Sequence, residues 1–191
     1  MLMDASQFLL RVLFDLAAIA FGLRFYMQWT RVPFHNPFAQ FIVRVTDFAV
    51  RPVRRVVPGL FGLDFASLLL FLLAQAMLVL LSHALLGYPF LVAGIQVWPG
   101  FMLLTLVAAL KLVLYVGMGL VLLQALLSWI NPYAPHAAVL NALTRPMLSP
   151  LQRFVPGIGG IDLSPLVALI LMQLVLIAPL AGLERYARGL I

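Results

Sequence analysis

A few ionisable and amide side chains interrupt the long apolar stretches of this chain: Arg11, Asp15, Gln75, Lys111 and Gln173. Arg11 and Asp15 are four residues apart, a spacing that places them on one helix face, where they can form an ion pair. Charged groups inside apolar spans are candidates for a hydrated path or another functional site. Anchoring at the edge of the apolar layer explains the charges equally well, and packing between helices explains the glutamines better.

A second set of candidate residues belongs to a segment that occurs twice, at residues 46–75 and, 98 positions later, at residues 144–173. Eleven of the thirty positions are identical, several of them Pro, Gly, Asp, Arg or Gln. The motif residues are Arg55, Pro58, Gly59, Gly62 and Asp64 in the first copy and Arg153, Pro156, Gly157, Gly160, Asp162, Ser164 and Pro165 in the second. Such a repeat indicates a duplicated architecture. Gln75 and Gln173 are equivalent in it, so we expect them to meet across a pseudo-two-fold axis.

Each copy reads as a basic segment, a Pro-Gly turn and an aspartate at the start of an apolar helix. Glycine permits unusual backbone angles, aspartate caps a helix, and arginine anchors on lipid phosphates. In the second copy Asp162 and Ser164 are predicted caps, and Pro165 suits the first turn. This structural interpretation is favoured. The alternative is a recognition surface on which Arg55 and Arg153 contact a partner or lipid headgroups.

The sequence contains no recognisable catalytic or metal-binding set. It has no cysteine, which excludes disulfides, thiolate metal sites and a cysteine nucleophile. His35 and His136 are predicted on the side opposite His83, without acidic ligands, so no metal site is expected. Axial ligation of a haem by His83 stays open as an alternative. Without a phosphate loop, Ser/His/Asp spacing or paired carboxylates, we predict that the protein is not an enzyme and needs no cofactor.

The elements that hold these residues are membrane-spanning helices. Hydrophobic residues make up 64% of the 191 positions and charged residues only 9%, against roughly 25% charged in soluble domains. The net charge of +6 therefore indicates topology and affinity for anionic headgroups, not binding of nucleic acid.

The predicted fold class is an all-α integral membrane protein with about four spans in two tandem parallel repeats, 1–96 and 97–191. The predicted spans cover residues 8–30, 65–86, 101–130 and 164–183, and an amphipathic interfacial helix covers residues 37–50. Asn36 and Pro37 resemble the start of that helix. Ala18 and Gly22 would let another helix approach closely, and Pro179 should kink the last span.

The distribution of basic residues predicts the orientation. Five arginines lie in the connection 31–63, none in the connection 87–100 and two in the connection 131–163. The positive-inside rule places the first and third connections in the cytoplasm and both termini in the periplasm. Arg185 and Arg188 then lie on the less favoured side, a minor conflict.

These residues resemble the YggT family of small bacterial inner-membrane proteins, called YlmG in other bacteria and related to a chloroplast assembly factor. The resemblance is carried by SWINP at Ser128–Pro132 and by the motif from Thr144 to Pro165, which ends in GGIDLSP. It covers nearly the whole chain, and the first half repeats it in weaker form. The two copies differ locally in the pairs Arg51/Ser149, Arg54/Gln152 and Phe61/Gly159.

The resemblance implies a two-repeat membrane protein without established catalysis. Members are associated with osmotic tolerance, ion uptake and cell division, and plastid relatives with maturation of a cytochrome complex. We therefore expect an envelope scaffold or assembly factor that engages anionic headgroups and a membrane protein partner, with a homo-oligomer also compatible. The alternative is a small transporter or channel component for ion uptake under osmotic stress, with a path lined by Gln75, Gln173, Lys111, Arg11 and Asp15.

Overall fold

The computed structural model describes residues 1–32, 36–59, 62–130, 137–155 and 162–191. Throughout these ranges the regular structure is helical, and the all-α prediction is confirmed. The helices are α1 (Leu2–Trp29), α2 (Pro37–Arg54), α3 (Phe65–Leu85), α4 (Trp98–Ile130), α5 (Ala137–Gln152), α6 (Ser164–Val175) and α7 (Ala181–Arg188), with a 3₁₀ turn at Ile95–Val97 and a π-helical turn at Leu176–Leu180.

Three helical stretches of the described chain are long and apolar enough to cross a membrane: Phe65–Leu85, Ile95–Ser128 and Ser164–Arg188. They fit a multi-pass membrane protein. The first helix, α1, has 28 residues, a length sufficient for a hydrocarbon core of about 30 Å. However, α1 carries four charged side chains and is not one of these three stretches. The span predicted over residues 8–30, which would be the fourth, therefore stays a prediction. The order long helix, amphipathic helix, long helix occurs twice, and the tandem arrangement also stays a prediction.

Several predicted boundaries are too short. The interfacial helix predicted over residues 37–50 continues through Pro52 to Arg54, because a proline in the last turn removes only one backbone bond. The span predicted over 164–183 reaches Arg188, since the π-helical turn around Pro179 absorbs the irregularity without ending the helix. The first and third spans begin at Leu2 and Trp98, earlier than predicted.

The start of α2 follows its prediction. Asn36 occupies the capping position, and its Oδ1 accepts a hydrogen bond from the Phe38 N–H at 2.8 Å. Pro37 lies in the first turn, where its missing N–H has no intrahelical partner to lose. This cap sets the point at which the chain turns from the connection into the amphipathic helix.

The first and third helices pack closely along each other through small residues. Ala18 is fully buried beside Phe71, and a Cβ added at Gly22 would lie 3.2 Å from the Phe71 ring. The predicted close approach at Ala18 and Gly22 is therefore confirmed. The fourth helix packs against α3, α5, α6 and α7, and Ala109 and Leu112 join it to the same core.

Both amphipathic helices lie at one end of the bundle. Met27 of α1 packs with Ile42 of α2 and with Leu143 of α5 in one buried group. The Tyr26 hydroxyl also donates to the Leu143 carbonyl at 2.6 Å. The C-terminal end of α1 thus connects the two halves of the chain.

Replacement of Gly22 by leucine should weaken the contact between α1 and α3. Crowding against Phe71 is expected to lower the melting temperature of the purified protein in mild detergent by roughly 3–10 °C. Gly119→Leu is the matched control, because a Cβ there meets nothing within 4 Å. Equal melting temperatures for the two variants would contradict the close approach.

Candidate functional site

One buried arginine joins the first two helices. Arg24, near the end of α1, is only 4% exposed. Its Nη1 donates to Asp47 Oδ1 at 2.7 Å, to Thr46 Oγ1 at 2.8 Å and to the Val43 carbonyl oxygen at 3.2 Å. All three acceptors belong to α2, so this guanidinium fixes how α2 leaves the end of α1.

The same arginine reaches the start of α3. Its Nε lies 3.3 Å from Asp64 Oδ2, and Arg54 of α2 bonds the same carboxylate. Asp64 is 2% exposed, and Gln28 Oε1 accepts from its backbone N–H at 2.7 Å. Asp64 occupies the position before α3, but its side chain makes no capping bond. The predicted capping role is wrong because the two arginines occupy the carboxylate.

We call Arg24, Asp47, Arg51, Arg54 and Asp64 the Arg24 cluster. Arg51 completes it, with Nη2 donating to Asp47 Oδ2 at 2.8 Å. Both carboxylates are bound by arginines, which leaves neither poised as a general base. The arrangement acts as an electrostatic clamp on α1, α2 and the start of α3, with Arg51 and Arg54 exposed at its rim.

The ion pairs lower the pKa of both aspartates. The hydrogen bond from Arg24 is the largest influence on the pKa of Asp47, and it outweighs burial, with Arg51 reinforcing it. Burial is the largest influence on Asp64 and would raise its pKa. The pKa of Asp64 nevertheless lies below its ordinary value, because Arg54 donates to the carboxylate and both Arg54 and Arg24 attract it.

Among the described residues, the second half of the chain lacks this clamp. With Trp29 aligned on Trp129, Gln124 stands at the position of Arg24; in the repeated segment, with its offset of 98 positions, Arg145 stands at that of Asp47. Gln124 donates to Asn141 at 3.2 Å, a neutral contact in place of the buried ion pair. The two halves therefore join their long and amphipathic helices by different chemistry.

The acid before the last span bonds the start of α6, but the capping position predicted for it belongs to Leu163. Asp162 Oδ1 accepts the Ser164 N–H at 2.8 Å, and Oδ2 accepts from Gln152 at 2.9 Å. Ser164 begins α6 and Pro165 lies in its first turn. Ser164 itself makes no side-chain capping bond, since its hydroxyl is buried without a partner in the described structure.

The described part of the turn motif is exposed and shaped by glycine. Arg55, Pro58 and Gly59 are exposed. Gly62 has φ +79°, and a Cβ on Gly59 would lie 3.0 Å from the Leu63 carbonyl oxygen. Arg153 is exposed in the second copy. Of the other predicted motif residues, three lie outside the described residues: Pro156, Gly157 and Gly160.

The predicted intramembrane pairs form differently. Asp15 accepts from Gln75 Nε2 at 3.0 Å, while Arg11 is exposed and forms no ion pair with Asp15. Gln75 is 1% exposed, whereas Gln173 lies on the outer surface. The predicted Gln75–Gln173 contact is wrong, because equivalent positions of α3 and α6 face opposite environments.

Lys111 has an acidic partner from the end of the chain. Its Nζ pairs with Glu184 of α7, which also pairs with Arg188. This trio fastens α7 to α4 and accounts for the continuation of the last helix beyond residue 183. Lys111 therefore takes part in helix packing in this structure.

The histidine that the structure describes, His83, belongs to an aromatic group. Its Nδ1 lies 2.8 Å from the Val79 carbonyl oxygen, and its ring packs edge-on against Phe101 at 5.2 Å. His35 and His136 lie outside the described residues. Within the described ranges, no three His, Cys, Asp or Glu side chains converge on a metal position.

The central residue of the cluster, Arg24, was not among the predicted site residues. An arginine near the end of a predicted span is also typical of a side chain that snorkels to the interface. The usable signal was the comparison between halves: Arg24 is replaced by Gln124 where Asp47 is replaced by Arg145. Loss of a base together with an acid at two distant positions is the pattern left by a broken ion pair.

Comparison with known proteins agrees with this architecture. The CCB3/YggT family model matches residues 3–85 and 103–182. The chain belongs to the CCB3/YggT family. An uncharacterized protein of Pseudomonas aeruginosa is 35% identical over 90% of this chain and 86% of its own length. Escherichia coli YggT, also uncharacterized by name, is 33% identical over 91% of this chain and 88% of its own. No solved structure matches significantly.

Replacement of Arg24 by glutamine in this YggT-family protein should strongly destabilise the bundle. The change leaves Asp47 and Asp64 short of a buried partner, and we expect the melting temperature in detergent to fall by roughly 5–15 °C. Adding Asp47→Asn should recover part of that loss, because it removes one stranded carboxylate. Arg55→Gln, at an exposed position, is the control and should change little. A drop no larger than that of the control would contradict the clamp.

The Arg24 cluster should also make stability depend on acidity. Both aspartates have folded-state pKa values below the ordinary value of about 3.9. The stability that they contribute is present above that value and is lost as pH falls through the folded-state pKa. The melting temperature should thus drop more steeply below about pH 4 in the wild type than in Asp47→Asn. Parallel acid profiles would argue against the cluster.

Proposed function

We propose that this YggT-family protein is a non-enzymatic scaffold or assembly factor of the bacterial inner membrane. The processes that we propose it serves are cell division, osmotic tolerance or maturation of a membrane complex. In this proposal the spans anchor the protein, and the end of the bundle that carries α2 and α5 contacts headgroups and a membrane protein partner.

The observation that carries the proposal is the outward surface of α2. Its inner face buries Ala39, Ile42, Thr46 and Val50 against the bundle. A second apolar row, which includes Phe41 and Phe48, points outward, and Phe48 is 79% exposed. An aromatic row beside a basic face is typical of a helix in the membrane interface.

The Arg24 cluster supports a scaffold because it stiffens that surface. Ion pairs hold the inner side of α2 in place. The outward aromatic row is therefore already ordered before a partner binds. A preorganised surface loses less conformational entropy on binding. The rim arginines Arg51 and Arg54, with the neighbouring Arg55, add positive charge beside the row.

We also propose the predicted orientation, with connections 31–63 and 131–163 in the cytoplasm and the termini in the periplasm. The five arginines of the first connection favour it. One arginine on the opposite side, Arg188, is ion-paired to Glu184, which softens the conflict noted in the sequence.

A second candidate function is a transporter or channel component for ion uptake under osmotic stress. The hydrogen bond between Asp15 and Gln75 favours it. Gln75 lies at the centre of α3 and Asp15 is half-buried, and an acidic group at such depth is typical of ion and proton pathways. Four spans enclose little volume, so a path would require an oligomer.

Site-specific photo-crosslinking in native membranes tests the scaffold proposal. A crosslinkable residue at Phe48 or at Phe41, which is 60% exposed, should capture a discrete partner. The control position is Leu91, fully exposed in the connection between α3 and α4. Charge reversal by Arg55→Glu with Arg153→Glu should reduce the captured partner, while purified protein in vesicles should conduct no ions.

Two outcomes would contradict the scaffold proposal. One is the same set of crosslinks from Leu91 as from Phe48, which would show random collision. The other is ion flux above that of empty vesicles, abolished by Asp15→Asn, which would favour the transport function.

A further inference from the structure

An open cleft lies at the end of the bundle, between α1 and α5. Its volume is about 420 Å³, within the range of about 300–1,000 Å³ typical of ligand sites. Thr30 closes one side, α5 supplies Arg145 and Ser149, and Arg153 follows directly after its last residue. Arg145 and Ser149 are four apart and share one helix face, and Arg153 continues that row in the turn that follows.

The cleft is positively charged, and no acidic side chain among the described residues pairs with its arginines. Arg145 and Arg153 are exposed, and neither forms an ion pair within the described part of the chain. Ser149 places a hydroxyl donor between them. Two guanidinium groups and a hydroxyl on one face are the donor set that a phosphate group accepts from.

In the first half, the residues equivalent to Arg145 and Ser149 belong to an ion-pair network. Arg145 and Ser149 stand where the first half has Asp47 and Arg51. Asp47 there accepts from Arg51 at 2.8 Å and from buried Arg24 at 2.7 Å. The duplication has therefore exchanged a closed ion-pair network for an open cationic cleft.

We infer that this cleft binds the phosphate of an anionic phospholipid headgroup. The neighbouring surface indicates a lipid and not a soluble anion, because Phe154 next to Arg153 is 83% exposed. The rings of Pro146 and Pro150 add apolar walls. Acyl chains can cover these apolar groups while the arginines hold the phosphate. The inference rests on the membrane location in the proposed function, and not on any protein partner.

Lipid binding to the purified full chain tests this inference. Native mass spectrometry in detergent would compare added phosphatidylglycerol, phosphatidylcholine with the same acyl chains, and inorganic phosphate. Wild type should retain phosphatidylglycerol in preference to the other two. Arg145→Gln with Arg153→Gln should weaken that binding about tenfold to thirtyfold, since each arginine contributes to attraction of the anionic lipid.

The matched control is Arg11→Gln with Arg185→Gln, which removes the same charge from exposed arginines away from the α2 and α5 end of the bundle and should weaken binding less than about twofold. Ser149→Glu should also abolish retention, because it supplies an internal carboxylate without removing either arginine. Circular dichroism verifies that each variant remains helical. Equal losses in test and control pairs, or a full response to inorganic phosphate alone, would overturn the inference. Failure to find a protein partner would leave this result unaffected.

Discussion

A guanidinium buried in an apolar bundle must be paired, and the placement of the first three helices depends on that requirement for Arg24. An unpartnered charge in such surroundings is destabilising by several kcal/mol. Asp47 from α2 and Asp64 from the start of α3 meet the requirement. Because these partners lie on separate elements, one side chain determines both how α2 leaves α1 and where α3 begins. The exposed aromatic row of α2 then follows from geometry, since the opposite face is held inward.

The two halves retain a common frame and differ in their charges. Thr46 and Thr144 are both buried, and each hydroxyl donates to the carbonyl four residues earlier, at 2.6 and 2.8 Å. Next to this shared contact, Asp47 of the first half is ion-paired to Arg24. In the second half, Arg145 has no ion pair among the described residues. Helix packing constrains small and apolar positions more tightly than exposed charges, so the shared threonine contact coexists with different ion pairs.

The scaffold proposal and the lipid inference draw on opposite properties of these halves. The first half offers a support, stiffened by ion pairs, for an exposed apolar row. The second offers unsatisfied positive charge at the same end of the bundle. A membrane protein that uses both properties would bind lipid headgroups at the cleft beside α5 and orient a protein partner on α2. The π-helical turn joins α6 to α7, and the Lys111–Glu184 pair holds α7 against α4.

Helix positions were largely predictable because apolar length, caps and small-residue spacing are local properties. Asn36 as a cap, Gly22 as a close-contact position and the special backbone angle of Gly62 were all readable from neighbouring residues. Partner choice was not predictable in the same way. Asp15 lies four residues from Arg11, yet it bonds Gln75, sixty positions away. Spacing along one helix shows which side chains could pair. Burial decides which of them do, because a buried polar group needs a hydrogen-bond partner and an exposed one can bond to water.

Composition, apolar length and the repeated motif are enough to predict an all-helical protein of the CCB3/YggT family. The contacts of the motif residues depend on how the helices pack. Equivalent residues lie in different environments: Gln75 is buried and Gln173 exposed, and Asp64 is clamped by arginines while Asp162 accepts from the first residue of α6. The physical reason is that burial and ion pairing depend on which helices meet. Which helices meet depends on packing across the whole bundle, while repeats and helix caps are properties of short sequence segments.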